Sequence, residues 1–111
     1  MGSNLENTQA QMRKGVLEYC ILSILSSEEV YPSDIISRMK SSKLIVVEGT
    51  LYPLLTRLKN AGLLQYRWEE SKSGPPRKYY SLTPHGQEFL SELHITWKDL
   101  VEAVSLTTGK N

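Results

Sequence analysis

The sequence predicts a mainly α chain carrying one small β-hairpin, and three observations lead to that prediction. Apolar residues recur at helical spacing in three successive segments before Gly62. Two short alternating runs then flank a stretch rich in glycine and proline, the pattern of a hairpin. A last segment opens on Thr83-Pro84 and keeps an apolar repeat of three and four residues nearly to the end.

Residues 11–27 place Val16, Leu17, Cys20, Ile21, Ile24 and Leu25 on one stripe, which predicts an amphipathic helix. Residues 1–10 are polar and are expected to form a flexible tail. Tyr31-Pro32-Ser33-Asp34 breaks the chain, and Ser33 and Asp34 are candidate caps for a second helix running to about Lys40. Its inner face is Ile35, Ile36 and Met39. A connector follows, with Ile45-Val46-Val47 at its end. The third helix is expected from about Glu48 to Ala61, with Leu51, Leu54, Leu55 and Leu58 inward and Gly62 as a natural stop. Pro53 falls early in it, where at most one backbone hydrogen bond is lost.

Leu63 to Glu70 alternates as a strand does, with Leu64, Tyr66 and Trp68 on one side. Ser71 to Pro76 is turn material, and Arg77 to Leu82 reads as the return strand. Thr83 as cap and Pro84 in the first turn then start a long helix reaching about Leu106. Three helices, a two-stranded ribbon and a fourth helix describe a winged helix-turn-helix domain over residues 11–83. A C-terminal helix spans 84–106, and 107–111 are a frayed tail.

The fourth helix explains its own presence. Leu90, Leu93, Trp97, Leu100 and Val104 step by three and four, a seam that buries well only against another helix. With Val101 beside it and Leu17 of the first helix, this surface is expected to form a homodimer, so the last helix is a dimerisation helix.

Composition narrows the function. The chain has 111 residues, 23% of them charged, with a net charge of +1. The charge is unevenly spread. Between Pro32 and Tyr80, nine cations face four acids, whereas the flanks hold four cations and eight acids. A basic middle between acidic ends points to a polyanionic partner. Cys20 is the single cysteine, which rules out an intrachain disulfide and suits a buried apolar role. With no long apolar run and no basic-apolar leader, a cytoplasmic protein without membrane contact is expected. Catalysis has little support. His85 and His94 lie nine residues apart on one helix and so point about 180° apart, which prevents a shared metal. No serine elbow or phosphate loop is present, and no cofactor is indicated.

The basic middle contains two elements suited to DNA. A helix fits the major groove, and Thr50, Tyr52, Thr56 and Arg57 would give the third helix outward hydroxyls and one fork donor there. Pro53 shares that surface, and Ser33 opens the helix before it. A narrow hairpin tip with Gly74 in it, bracketed by Lys72, Arg77 and Lys78, suits contact with a DNA backbone or minor groove. Of Tyr79 and Tyr80, one is expected to pack on the helices and the other to face solvent or phosphate.

Glu48-Gly49-Thr50-Leu51-Tyr52-Pro53-Leu54-Leu55, then Arg57-Leu58, Ala61-Gly62-Leu63-Leu64, Pro76-Arg77-Lys78-Tyr79-Tyr80, Leu82-Thr83 and Gly86 resemble the PadR family of bacterial transcriptional regulators. The similarity covers roughly residues 12–104. It implies a dimeric repressor on double-stranded DNA with an inverted-repeat operator, released by a small molecule. Two places depart from the family pattern: Pro32-Ser33 stands where Gly-Tyr is common, and Glu48 where Pro is common. Members with short C-terminal helices, such as the lactococcal multidrug regulator, stack flat aromatic compounds between two copies of a tryptophan. By that likeness Trp97, with Phe89, Leu93 and His94, would line an aromatic effector site. The alternative reading is a winged-helix module that binds protein, which the low net charge favours.

Overall fold

The computed structural model describes residues 3–71 and 73–110 of the chain. The elements are α1 (Asn4–Leu25), α2 (Pro32–Ser41), α3 (Glu48–Asn60), β1 (Leu64–Ser71), β2 (Gly74–Leu82) and α4 (Pro84–Thr108). Three helices, an antiparallel two-stranded sheet and a fourth helix make the expected winged arrangement.

The first helix starts well before the apolar stripe that predicts it. Ser3 caps it, accepting a hydrogen bond from the Glu6 amide at 3.0 Å, so residues 4–10 are helical where a flexible tail was expected. These residues are all exposed, and a solvated turn leaves no apolar periodicity to read. The buried stripe is Leu17, Ile21, Leu22 and Leu25. Helix α2 contributes Ile35 and Met39, and α3 contributes Leu51, Leu55 and Leu58. The hairpin roots Leu64, Tyr80 and Leu82 close the core from one side, and Leu90 of α4 covers it.

The caps fix the turns between these layers. Helix α2 starts two or three residues earlier than Ser33 or Asp34 as cap would have it. Tyr31 occupies the cap position, Pro32 follows, and the Asp34 carboxylate accepts from the Tyr31 amide at 3.1 Å. The C-terminus of α3 is a Schellman motif: Gly62 adopts φ +80°, its amide donates to Lys59, and the Leu63 amide donates to Leu58. The same pair of bonds ends α2, but there Lys43 sits at φ 67°. Thr83 then joins the wing to α4. Its hydroxyl oxygen accepts from the Gly86 amide at 2.9 Å and donates to the Gly62 carbonyl at 2.6 Å. Gly86 lies so close to the Leu63 backbone that a Cβ there would meet the Leu63 oxygen at 2.1 Å.

The hairpin pairs Leu64 with Leu82, Tyr66 with Tyr80 and Trp68 with Lys78, with a bulge beyond Glu69. Its tip is tighter than residues 71–76 would make it. Gly74, Pro75 and Pro76 belong to β2, which is possible because a two-stranded sheet has only edges and prolines need no ladder donor there. Val30 and Tyr80 exchange backbone hydrogen bonds of 3.0 and 2.9 Å, so the α1–α2 loop ties down the outer edge of β2. Helix α4 runs two residues past Leu106, to a left-handed Gly109. Among the described residues, no helix is long and apolar enough to cross a membrane.

Candidate nucleic-acid interface

The outward residues of α3 divide between two flanks. At about 100° per residue, Tyr52 and Thr56 point toward the wing, while Thr50 and Arg57 point some 100–160° away, toward α1. The surface follows this division. On the wing side, Tyr52, Thr56, Arg77, Lys78 and Ser33 line one open cleft of about 500 Å³, joined there by Tyr31 and Trp68. On the other side, Thr50, Pro53 and Arg57 line a groove of about 640 Å³ against α1, where Arg13 and Lys14 add two more cations. The Arg57 guanidinium pairs with Glu18 of α1. Gly74 stands exposed opposite Ser71 near the hairpin tip, outside the cleft. Lys72 lies outside the described residues.

The wing is held by its two faces differently. On the face toward α3, Tyr66 and Trp68 meet edge to face with centroids 6.1 Å apart. The Lys78 ammonium lies over both rings, 4.3 Å from Tyr66 and 5.2 Å from Trp68. Trp68 nonetheless remains 60% exposed. On the opposite face, Tyr79 stacks on Tyr31 with centroids 3.9 Å apart. Arg67 lies 4.7 Å over Tyr79, and Arg77 lies 5.2 Å over Tyr31. Arg67 also binds Glu29 at 2.9 Å and pairs with Glu69, which holds its guanidinium well above the ordinary arginine range. Tyr80 is the inward tyrosine, and burial pushes its hydroxyl up, helped by Tyr66 and Tyr52. Tyr79 is half-buried in its stack rather than free to meet phosphate.

These contacts make the wing a stiff arm, with Arg77 and Lys78 each laid on an aromatic ring. The residues that do this were only partly visible in the sequence. Tyr31 sits in the break before α2, and nothing local shows that Tyr79 reaches it. Trp68 was grouped with Leu64 and Tyr66 by alternation, but the strand carries it past the edge of the core.

The surface expected to form a dimer also divides. Leu17 and Leu90 are buried in the chain's own core, Leu17 on the side of α1 that meets α3 and Leu90 on the inner face of α4. Trp97, Leu100, Val101 and Val104 remain 40–51% exposed on the outer part of α4. Of the expected effector residues, Phe89 and Leu93 are half-buried against the core. His94 and Trp97 are exposed and meet Tyr19 of α1. The Tyr19 hydroxyl and His94 Nδ1 are hydrogen-bonded at 2.6 Å, and the Tyr19 and Trp97 rings lie 6.1 Å apart. Cys20, next to Tyr19, is half-buried, and burial raises its thiol pKa. Among the described residues, no three His, Cys, Asp or Glu side chains gather where they could share a metal ion.

Comparison with known proteins adds a family. The profile of the transcriptional regulator PadR-like family matches residues 21–92. A PadR-like transcription factor from Bacteroides fragilis is 60% identical, covering 91% of this chain and 98% of its own, with a TM-score of 0.78. A PadR family transcriptional regulator from Eggerthella lenta is 30% identical over 96% of this chain and 94% of its own, with a TM-score of 0.88. Bacillus subtilis PadR in complex with operator DNA is 29% identical, with a TM-score of 0.67, over 72% of this chain and 47% of that one.

Proposed function

Because the chain belongs to the PadR-like family of transcriptional regulators, we propose that it is a repressor acting as a homodimer on an inverted-repeat operator, released by a small aromatic effector. One observation carries the DNA-binding geometry: Tyr52, Thr56, Arg77 and Lys78, drawn from the recognition helix and the wing, line one open cleft. Helix α3 enters the major groove, and Thr50, Tyr52, Pro53 and Thr56 meet base edges and the adjoining backbone. Arg57 joins them by exchanging Glu18 for a base or phosphate. Ser33, Lys72, Gly74, Arg77 and Lys78 hold the backbone on the wing side. Such a regulator works in the cytoplasm, beside the chromosome.

The dimer reading is supported by the bare apolar stripe of Trp97, Leu100, Val101 and Val104. A second copy brings two Trp97 indoles together, each backed by His94 and Tyr19. A flat aromatic compound stacking between them is the effector, with Phe89 and Leu93 at its inner edge. Its binding shifts the two recognition helices out of register with the operator.

Binding to the duplex upstream of the protein's own gene, titrated with salt, tests the reading. Replacing both wing cations, Arg77→Ala with Lys78→Ala, should weaken binding and lower the slope of log affinity against log salt by about 1.8, two phosphates at about 0.9 each. Absence of any salt-dependent affinity for DNA in the wild type would sink the proposal. It would leave the winged-helix protein-interaction module.

A further inference from the structure

We infer that the cleft between α3 and the wing seats one sugar-phosphate strand of the duplex, with the Trp68 indole packed on a deoxyribose. This rests on the DNA-binding reading above and assigns Trp68 a role that neither its strand position nor its charge suggests. With α3 in the major groove and the wing at the neighbouring minor groove, the ridge between them is a single backbone strand, and the cleft is where that ridge must lie.

The lining fits a sugar-phosphate chain. Ser33, Tyr52 and Thr56 bring hydroxyls, and Arg77 and Lys78 bring cations. Among the described residues, no carboxylate lines it. The groove on the other flank differs, since Glu18 takes up the charge of Arg57 there. Trp68 is the large apolar group in the cleft. It is 60% exposed and held edge-on by Tyr66. A deoxyribose presents an uncharged C–H face between two phosphates, which suits an indole with an ammonium alongside. Lys78, 5.2 Å from the Trp68 ring, stands where a flanking phosphate would lie. Anchoring between rigid aromatic groups lowers the ordering cost of both residues.

A sugar contact and a phosphate contact differ in their salt dependence, and this separates Trp68 from Lys78. Binding is measured for wild type, Trp68→Ala and Trp68→Phe on the upstream duplex and on a mixed-sequence duplex at low salt. Trp68→Ala should bind both about tenfold more weakly, as loss of a packed aromatic anchor does, with an unchanged salt slope. Trp68→Phe should stay within about threefold of wild type, because a ring is retained. Tryptophan emission should change when wild type is saturated with DNA, and the change should be much smaller in Trp68→Phe, whose remaining indole is Trp97. Equal affinity of Trp68→Ala and wild type would overturn the inference while leaving the DNA-binding reading intact. So would a weaker Trp68→Ala whose salt slope falls by about one, because Trp68 then only positions Lys78. An emission change as large in Trp68→Phe as in wild type has the same consequence. Failure of the wild type to bind either duplex overturns both readings.

Discussion

Gly86→Ala provides a sharp test of how the wing is joined to α4. A Cβ at this position would lie 2.1 Å from the Leu63 carbonyl oxygen. Unstrained carbon–oxygen contacts are about 3.3 Å, so about 1.2 Å must be found by moving α4 or the turn at Leu63. The atom in the way is backbone, and it accepts from the Thr83 amide at 3.1 Å. Moving it also disturbs the Thr83 hydroxyl, which caps α4 and holds Gly62. Overpacking costs about 1–3 kcal/mol and a weakened cap about 1, while alanine returns up to about 1 through helix propensity. The net expectation is a loss of about 2–3 kcal/mol, or a fall in Tm of about 10–15 °C for a chain of this size. Gly15→Ala is the matched control: Gly15 lies in α1 with nothing within 4 Å of an added Cβ. It should gain up to about 1 kcal/mol and raise Tm by a few degrees. Thermal unfolding followed by circular dichroism, at fixed protomer concentration, reads both. A Gly86→Ala protein that melts within about 2 °C of wild type refutes the close approach at Leu63.

Lys43 occupies the left-handed position that ends α2, at φ 67°. Lys43→Gly should raise the urea midpoint by an amount worth about 0.5–1 kcal/mol, and a lower midpoint would show that the Lys43 side chain contributes more than its backbone strain costs. Leu100→Glu puts a charge into the bare stripe of α4, 51% exposed in the single chain. Sedimentation should then report monomer where the wild type reports dimer, with the helical signal retained. A wild type that sediments as a monomer at micromolar concentration defeats the seam outright.

Much of the fold was legible because it is written in local patterns. The three leucines of α3, the Thr83-Pro84 start and the Gly62 stop each act within a few residues of themselves. The start of α1 was not, since residues 4–10 bury nothing and only Ser3 marks them. Pro75 and Pro76 read as a turn because proline is a poor ladder member, and β2 is a tolerable place for them because, among the described residues, no third strand pairs along them. The candidate site was legible residue by residue, but its grouping was not. Thr50, Tyr52, Thr56 and Arg57 read as outward residues, and only the packing of the wing on one flank of α3 and of α1 on the other puts them into separate surfaces. Leu90 fits the heptad seam by spacing and Leu17 was expected beside it, but both are buried in the chain's own core.

By itself, then, the sequence determined the order of the elements, the face each helix buries and the basic character of the middle of the chain. These follow from periodicity, caps and composition, which operate over one or two turns of backbone. Tertiary structure decided which charges are engaged and which are free. It set Arg57 against Glu18, Arg77 over Tyr31 and Lys78 between Tyr66 and Trp68. Most of these partners come from different elements, and their meeting depends on how helices and hairpin pack, which no local pattern encodes.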